Sequence, residues 1–405
     1  MRASTTKPER TVPNNETCLT ALSDALGSQP YFGVWYGYPQ GPSNAKSSDE
    51  GGHGHLLPPK PGLVDTLKRL KDQHGIHFEA YIQSMIYDAS IPSPDDDTMA
   101  HAVTLDTQDK RVPYGSGSAP GLLAMCRATG WWQTRLVDLS TRAVGEFGFD
   151  GVYLDSFGKG APECFAKDHK HPVGGGNTCI AGQRELATRV RTAIRAINPQ
   201  AIMSGEDPIE AFRDLLDVNL YSVNVMKDYV PIYRTVWGDY SLGHGRVLGS
   251  DRGNGFIPEL ATLFLEGTIP GRIYCDSPKL FLLEPTFAKE WAFMKTLDHY
   301  TQHGLQYLRM GEYLHPLELT PAPPLIEFTE SAEKPNSTVS RTHAHIEYDA
   351  STGEFRLFDD GSSYGTSVMH DGRVVGVPAA GGRGLRIDSG DEIYLGQARL
   401  LFEIP

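Results

Sequence analysis

Two acidic residues stand where a sugar-cleaving pair would be built. Asp155 closes the run Phe149-Asp150-Gly151-Val152-Tyr153-Leu154-Asp155, and Glu206 closes Ser204-Gly205-Glu206-Asp207. Period-two alternation in the first run sets Val152 and Leu154 on one face and Tyr153 and Asp155 on the other. If the runs are neighbouring parallel strands joined by one crossover, the two carboxyl groups approach each other sideways. That arrangement suits glycoside hydrolysis: one carboxylate attacks or stabilises the sugar cation, and the other protonates the leaving oxygen. An acid at a strand end also commonly caps the next turn or helix, so each residue has a structural reading beside the catalytic one.

The surrounding segments have the periods needed to position such a pair. Tyr31 to Tyr38 reads as an aromatic strand. Leu63, Leu67 and Leu70 share one helical face, opposite Lys68, Arg69 and Lys71, and Gly75 ends the helix. Ile76 to Ile86 returns as a strand. Trp132, Leu136, Leu139 and Ala143 form the next helical face, Phe149 to Leu154 the next strand, and Leu186, Val190 and Ile194 a third face, broken at Asn198-Pro199. Ala201 to Ser204 is the strand that follows. Strand–helix alternation of this length predicts an α/β fold, a (β/α)8 TIM barrel over residues 31–318, preceded by an N-terminal segment, 1–30. An open doubly wound sheet is the alternative, although no GxGxxG or GxxxxGK[ST] follows the first strand. The segment from Ile91 to Gly121 is a long loop or conceals a strand, on the side expected to meet substrate.

Barrel enzymes carry their sites at the C-terminal strand ends, and further candidates follow from that rule. Trp35, Tyr36 and Tyr81 could stack on sugar faces or pack in the core. Asp88, Asp207, Asp239 and Asp276 end or adjoin apolar runs and could hold sugar hydroxyls. His171 precedes Pro172-Val173-Gly174-Gly175-Gly176-Asn177, a glycine run that reads as a flexible loop over the mouth. His53-Gly54-His55 has no clustered carboxylate or third histidine in sequence, so no metal and no other cofactor is expected.

Composition narrows the partners. The chain has 405 residues, 40% of them apolar, which is enough for a folded protein with two domains. With 37 basic and 50 acidic residues its net charge is −13, which disfavours nucleic acid and anionic membrane as partners. Five widely spaced cysteines without a CxxC, and a polar N-terminus, predict reduced thiols and a cytoplasmic protein.

The run GFDGVYLDSF resembles the fourth-strand motif of retaining glycoside hydrolases built on TIM barrels. Together with MCRATGWWQTRLVDLSTRAV, HPVGGGN and IMSGED, it is similar to an uncharacterised glycoside-hydrolase-like barrel family of bacteria, over roughly residues 30 to 318. The resemblance implies that Asp155 is the nucleophile, that Glu206 after the fifth strand is the acid/base, and that the reaction is a double displacement on a carbohydrate with retention of configuration.

Composition changes near residue 320. Residues 319–337 are rich in Pro, Glu and Ser and read as a linker. Residues 338–405 show short alternating runs between Gly, Asp and Ser clusters, an all-β pattern. The runs SRTHAHIEYD, FRLFDDGSSYGTSVMHDG and LRIDSGDEIYLGQARLLFEI resemble a forkhead-associated (FHA) domain, a β-sandwich that binds phosphothreonine peptides. The resemblance implies phosphate contacts from Ser340, Arg341 and Ser362, and a structural role for His343. The Gly-Arg of the opening strands is missing, Tyr364 stands where an Asn is usual, and Met369 replaces another. The module therefore reads as truncated, with Leu325 to Phe328 available to fill its open edge. The alternative to an enzyme is a phosphothreonine-peptide-binding scaffold carrying an inert barrel.

Overall fold

The computed structural model describes residues 2–5, 12–26, 31–41, 53–94, 96–114, 121–158, 160, 162–221, 232–238, 240–245, 256–269, 273–275, 281–304, 325–328, 339, 343–378, 382–396 and 398–403. The chain divides into two compact units, Met1–Leu314 and His315–Pro405.

The first unit alternates strands and helices. In chain order these are β1 (Arg2–Thr5), α1 (Val12–Leu26), β2 (Tyr31–Trp35), α2 (Leu63–His74), β3 (Ile76–Gln83), β4 (Ile86–Asp88), α3 (Asp96–Ala100), β5 (Leu122–Ala124), α4 (Gly130–Gly145), β6 (Gly151–Asp155) and α5 (Thr178–Ile197). They continue as β7 (Ile202–Gly205), β8 (Val218–Leu220), α6 (Ile232–Trp237), β9 (Leu242–His244), α7 (Phe256–Leu265), β10 (Ile273–Cys275) and α8 (Ala288–His303). A single 3-10 turn, Glu210–Phe212, replaces the helix between β7 and β8.

Eight strands form one sheet in the order β10-β1-β2-β3-β6-β7-β8-β9, and every pairing is parallel. Ile269 bridges His244 of β9, and Ile273 pairs with Ala3 of β1. One short segment thus reaches both edges of the sheet, and the (β/α)8 barrel closes, as the alternation of elements predicts.

Parity along the strands separates two interiors. Trp35, Phe78, Ala80 and Ile82 face outward into the layer shared with the helices, where Leu67 and Leu70 of α2, Trp132 and Leu136 of α4 and Leu186 and Val190 of α5 are buried. Val34, Tyr81, Tyr153 and Leu220 face inward and pack as a small cluster with Tyr36. The outer layer supplies most of the stability, since each fully buried Leu or Phe side chain contributes about 1.5–3 kcal/mol. The N-terminal end of β6 is pinned by charge. Asp150 accepts the Phe78 N–H, lies 2.6 Å from Lys71 Nζ and lies 3.3 Å from His77 Nδ1. Burial would raise its pKa, but the bonds from His77 and Lys71 hold it below the usual carboxylate range.

One boundary, one loop and the cysteines add to what the sequence leads one to expect. The barrel begins at β1 rather than at residue 31, because Arg-Ala-Ser-Thr is a polar strand with no apolar signature and α1 follows it. The described residues between Ile91 and Gly121 lie in an excursion from the C-terminal end of β3, framed by the antiparallel β4–β5 pair and including α3. Cys18 is disulfide-bonded, whereas Cys126, Cys164 and Cys179 are free, so the thiols are not uniformly reduced. Among the described residues, no helix is long and apolar enough to cross a membrane.

The second unit contains β11 (Leu325–Phe328), β12 (Ala344–Asp349), β13 (Glu354–Asp359), β14 (Thr366–His370), β15 (Arg373–Gly376), β16 (Leu385–Ile387), β17 (Asp391–Leu395) and β18 (Ala398–Glu403). Two antiparallel sheets, β11-β18-β17-β14-β15 and β12-β13-β16, enclose Phe355, Leu357, Val368, Ile393 and Phe402. Alternation is strict in β18, where Ala398, Leu400 and Phe402 are buried between exposed neighbours. Leu325–Phe328 pairs along β18 and fills the edge that the sequence leaves open. The stretch expected as a linker therefore contains a strand.

Asp359 organises the loop that follows β13. Its carboxylate accepts the Gly361 and Ser362 amides and the Ser362 and Thr366 hydroxyls. Burial would raise its pKa, but these hydrogen bonds outweigh it and lower the group from 3.8 to about 2. Because the folded value is depressed, the stabilisation is complete above an unfolded Asp's pKa and is lost as pH falls from about 4 towards 2. Asp359→Asn should cost about 1–3 kcal/mol at neutral pH and flatten the pH dependence in that window. Thermal melts of the full chain at stepped pH check both.

Candidate active site

The inward face of β3 and the end of β6 converge on Asp155. Oδ2 accepts the Tyr81 hydroxyl at 2.8 Å and the Gln83 amide at 2.7 Å, and Oδ1 accepts the Tyr153 hydroxyl at 3.2 Å. Both oxygens are thus oriented by neutral donors, which suits an acceptor-only carboxylate. Asp155 is partly exposed, at the barrel's C-terminal end.

Glu206 reaches the same place from β7. The β6–β7 register pairs Tyr153 with Ser204 and Leu154 with Gly205, so its continuation sets Asp155 beside Glu206. Glu206 Oε2 accepts the Ser156 amide at 2.8 Å. Ser156 has φ 56°, a left-handed conformation unusual for a non-glycine residue, and it turns the chain sharply after Asp155. Its carbonyl accepts Arg127 Nη2 at 2.6 Å, and its hydroxyl lies 3.1 Å from the Tyr114 hydroxyl. Burial lowers Arg127 to about 10, which leaves the guanidinium charged at neutral pH.

The next residues tie the two loops together. Asp207 N–H donates to Phe157 O, and Gly158 N–H donates to Gln183 Oε1. Gly158 has φ +90°, and a Cβ there would sit 2.5 Å from Asp207 O, so the loops after β6 and β7 meet at a distance only glycine allows.

The remaining candidates separate. Tyr36 stacks on Tyr81 with centroids 4.3 Å apart, beside the carboxylate. Tyr81 itself is an orienting donor more than a platform. Trp35 is buried and meets Phe78 edge-on in the outer layer, away from the mouth, because it has the opposite parity to Tyr36. Asp88 is buried and caps the turn at Ser90. His171 faces Cys126, with Nε2 3.3 Å from Sγ. In the second unit, Ser362 donates its hydroxyl to Asp359, and His343 bonds the Gly365 carbonyl. Asp239, Asp276, Ser340 and Arg341 lie outside the described residues.

Sequence reasoning missed Gln83, Ser156 and Arg127. Gln83 was within reach, since it lies two residues beyond Tyr81 on the same strand face. It also missed a cluster of Cys126, Cys164, His169 and His171, whose ligand atoms lie within 4.8 Å of one another.

Comparison with known proteins agrees with this architecture. A family model described as a domain of unknown function (DUF6259) matches residues 12–248, and an FHA domain model matches residues 330–396. A Monosiga brevicollis protein provisionally named as a glycoside hydrolase is 26% identical over 235 residues, 54% of this chain and 20% of its own length. A Bacteroides thetaiotaomicron protein, likewise provisionally named, is 26% identical over 201 residues, 47% of this chain and 28% of its own. The likeness therefore extends beyond bacteria, and the chain spans only a fifth to about a quarter of these relatives. Among solved structures, the α-N-acetylgalactosaminidase NagBb of Bifidobacterium bifidum aligns at 14% identity and TM-score 0.52, over 93% of this chain and 57% of its own. The GH36 α-galactosidase AgaA of Geobacillus stearothermophilus aligns at 10% identity and TM-score 0.51, over 99% of this chain and 55% of its own. At such identities the likeness concerns the fold.

The turn after β6 yields a test independent of any activity. Gly158→Ala should destabilise the barrel by about 1–3 kcal/mol through strain and the clash with Asp207, whereas Ser156→Gly should be neutral or stabilising. Chemical denaturation of both variants checks this.

Proposed function

From the premise that the chain belongs to the DUF6259 family, we propose that its barrel hydrolyses glycosides by double displacement, with Asp155 as nucleophile and Glu206 as acid/base. The observation that carries this reading is the setting of Asp155: a partly exposed carboxylate at a barrel strand end, held by three neutral donors, with Glu206 bonded to the very next amide. These donors aim both oxygens of the carboxylate. It attacks the anomeric carbon while Glu206 protonates the departing oxygen. Glu206 then deprotonates the water that releases the sugar. Retention requires the carboxyl groups to work about 5–5.5 Å apart, and a gap beyond about 6.5 Å would instead give inversion. Tyr36, stacked on Tyr81, supplies an aromatic face for the sugar, and Asp207 adjoins the acid/base. Asp276, which follows β10 in sequence, stays in the proposal as a hydroxyl ligand, whereas Asp239 falls between α6 and β9 in sequence, ahead of a strand and not after one.

The names of the fold neighbours suggest where to begin a substrate panel, with nitrophenyl α-galactosides and α-N-acetylgalactosaminides. Asp155→Ala should lower kcat/KM by on the order of 10⁴, with azide restoring turnover as a glycosyl azide of inverted configuration. Glu206→Gln should cost about 10²–10⁴ on poor leaving groups and far less on nitrophenol. Activity unchanged in Asp155→Ala would move the nucleophile elsewhere.

A second reading concerns the C-terminal unit and rests on the FHA match over residues 330–396. It binds a phosphothreonine peptide through Ser340 and Arg341, while Ser362 shapes the neighbouring loop from its bond to Asp359. Titration with a phosphothreonine peptide library should show binding that Arg341→Ala abolishes. No binding at millimolar peptide would discard the reading.

A further inference from the structure

Beside the barrel mouth, the loop preceding α4 meets the loop following β6. The first contributes Cys126, and the second contributes Cys164, His169 and His171, all within eight residues of sequence. Cys126, Cys164 and His169 are buried and His171 is partly so. Cys126 Sγ lies 3.3 Å from His171 Nε2, and Cys164 Sγ lies 3.3 Å from His169 Nδ1. Across a tetrahedral zinc ion, with bonds of about 2.0–2.3 Å, neighbouring sulfur and nitrogen ligands sit about 3.5 Å apart. The two sulfur–nitrogen pairs are close to that spacing, and all four ligand atoms lie within 4.8 Å of one another.

The outer contacts point the same way. His169 Nε2 is 2.9 Å from His101 O, and His171 Nδ1 is 2.8 Å from Pro172 O. A carbonyl only accepts, so each of these nitrogens carries the ring proton. Neutral imidazole then keeps its lone pair on the other nitrogen, and in both rings that nitrogen faces a cysteine sulfur. Backbone carbonyls fix metal-ligating histidines in the same way. Both loops are bonded to one further segment, the stretch after α3: Cys126 N–H donates to Ala102 O, and Phe165 N–H to Leu105 O. A cavity of about 310 Å³, lined in part by Cys126, Cys164 and His171, supplies an entry path.

We propose that Cys126, Cys164, His169 and His171 bind one zinc ion that staples the loop before α4 to the loop after β6. Two thiolates and two imidazoles select zinc over hard cations such as magnesium or calcium. Four protein ligands leave no open position, so the ion is structural and activates no water. Arg127, adjacent to Cys126, bonds the carbonyl of Ser156, so the staple would stiffen the turn behind Asp155.

The test uses the full chain, purified under reducing conditions, stripped with a chelator and titrated with cobalt(II) as a spectroscopic stand-in, then with zinc. The expected result is one cobalt per chain, with intense visible d–d bands and a thiolate charge-transfer band in the near ultraviolet, both displaced by zinc. Cys164→Ser and His171→Ala should each weaken zinc uptake at least tenfold. Cys179→Ser, which alters a neighbouring thiol outside the cluster, should leave the stoichiometry unchanged. Absence of thiolate bands in folded wild-type protein would overturn the proposal. So would unchanged metal uptake in Cys164→Ser, or a Cys126–Cys164 disulfide that persists in reductant and excludes metal. The wild-type titration needs no variant to fold and reads no activity, so it stands apart from the hydrolase reading.

Discussion

The hydrogen bond from the Ser156 amide to Glu206 is the contact on which the mouth of the barrel depends. It connects the acid that follows β7 to the residue immediately after the acid that ends β6. Keeping Ser156 left-handed costs on the order of 1–3 kcal/mol. Hydrogen bonds to charged groups contribute about 1.5–3 kcal/mol each. Ser156 has one, its carbonyl to Arg127, and its amide adds a second bond to Glu206; together they hold the turn. The close approach of Gly158 to Asp207 then leaves the two loops no room to slide.

The two aspartates of β6 show how surroundings sort identical side chains. Asp150, at the N-terminal end, is met by Lys71 and His77, so its charge is matched and the group serves as an anchor between β6, β3 and α2. Asp155, at the C-terminal end, is met by two phenols and an amide. Those partners orient both oxygens of the carboxylate. The same residue type thus builds the floor of the barrel and furnishes its opening.

Helices were the most legible part of the sequence. The faces of α2, α4 and α5 have a clean 3.6-residue period; α2 stops at Gly75 and α5 at Asn198-Pro199, where the sequence breaks them, and α4 ends at Gly145. Strands were harder to read. β1 is polar, β8, β9 and β10 are three residues each, and one crossover shrinks to a 3-10 turn, so neither period has room to show. In the site, Asp155 and Glu206 stood out because they end apolar runs. Trp35 misled because one step of parity moves a side chain from the mouth to the outer layer. The Cys and His cluster was hidden by distance along the chain, since Cys126 joins ligands that begin at Cys164.

The first strand has a practical bearing on how the barrel can be handled. β1 sits between β2 and β10, yet the family match opens at residue 12 and stops at residue 248, excluding β1, β10 and α8. A fragment trimmed to those limits would expose two bare parallel edges, and exposed edges recruit other chains. Excision along the boundaries of sequence similarity would therefore yield a sticky, open sheet of six strands in place of a closed domain.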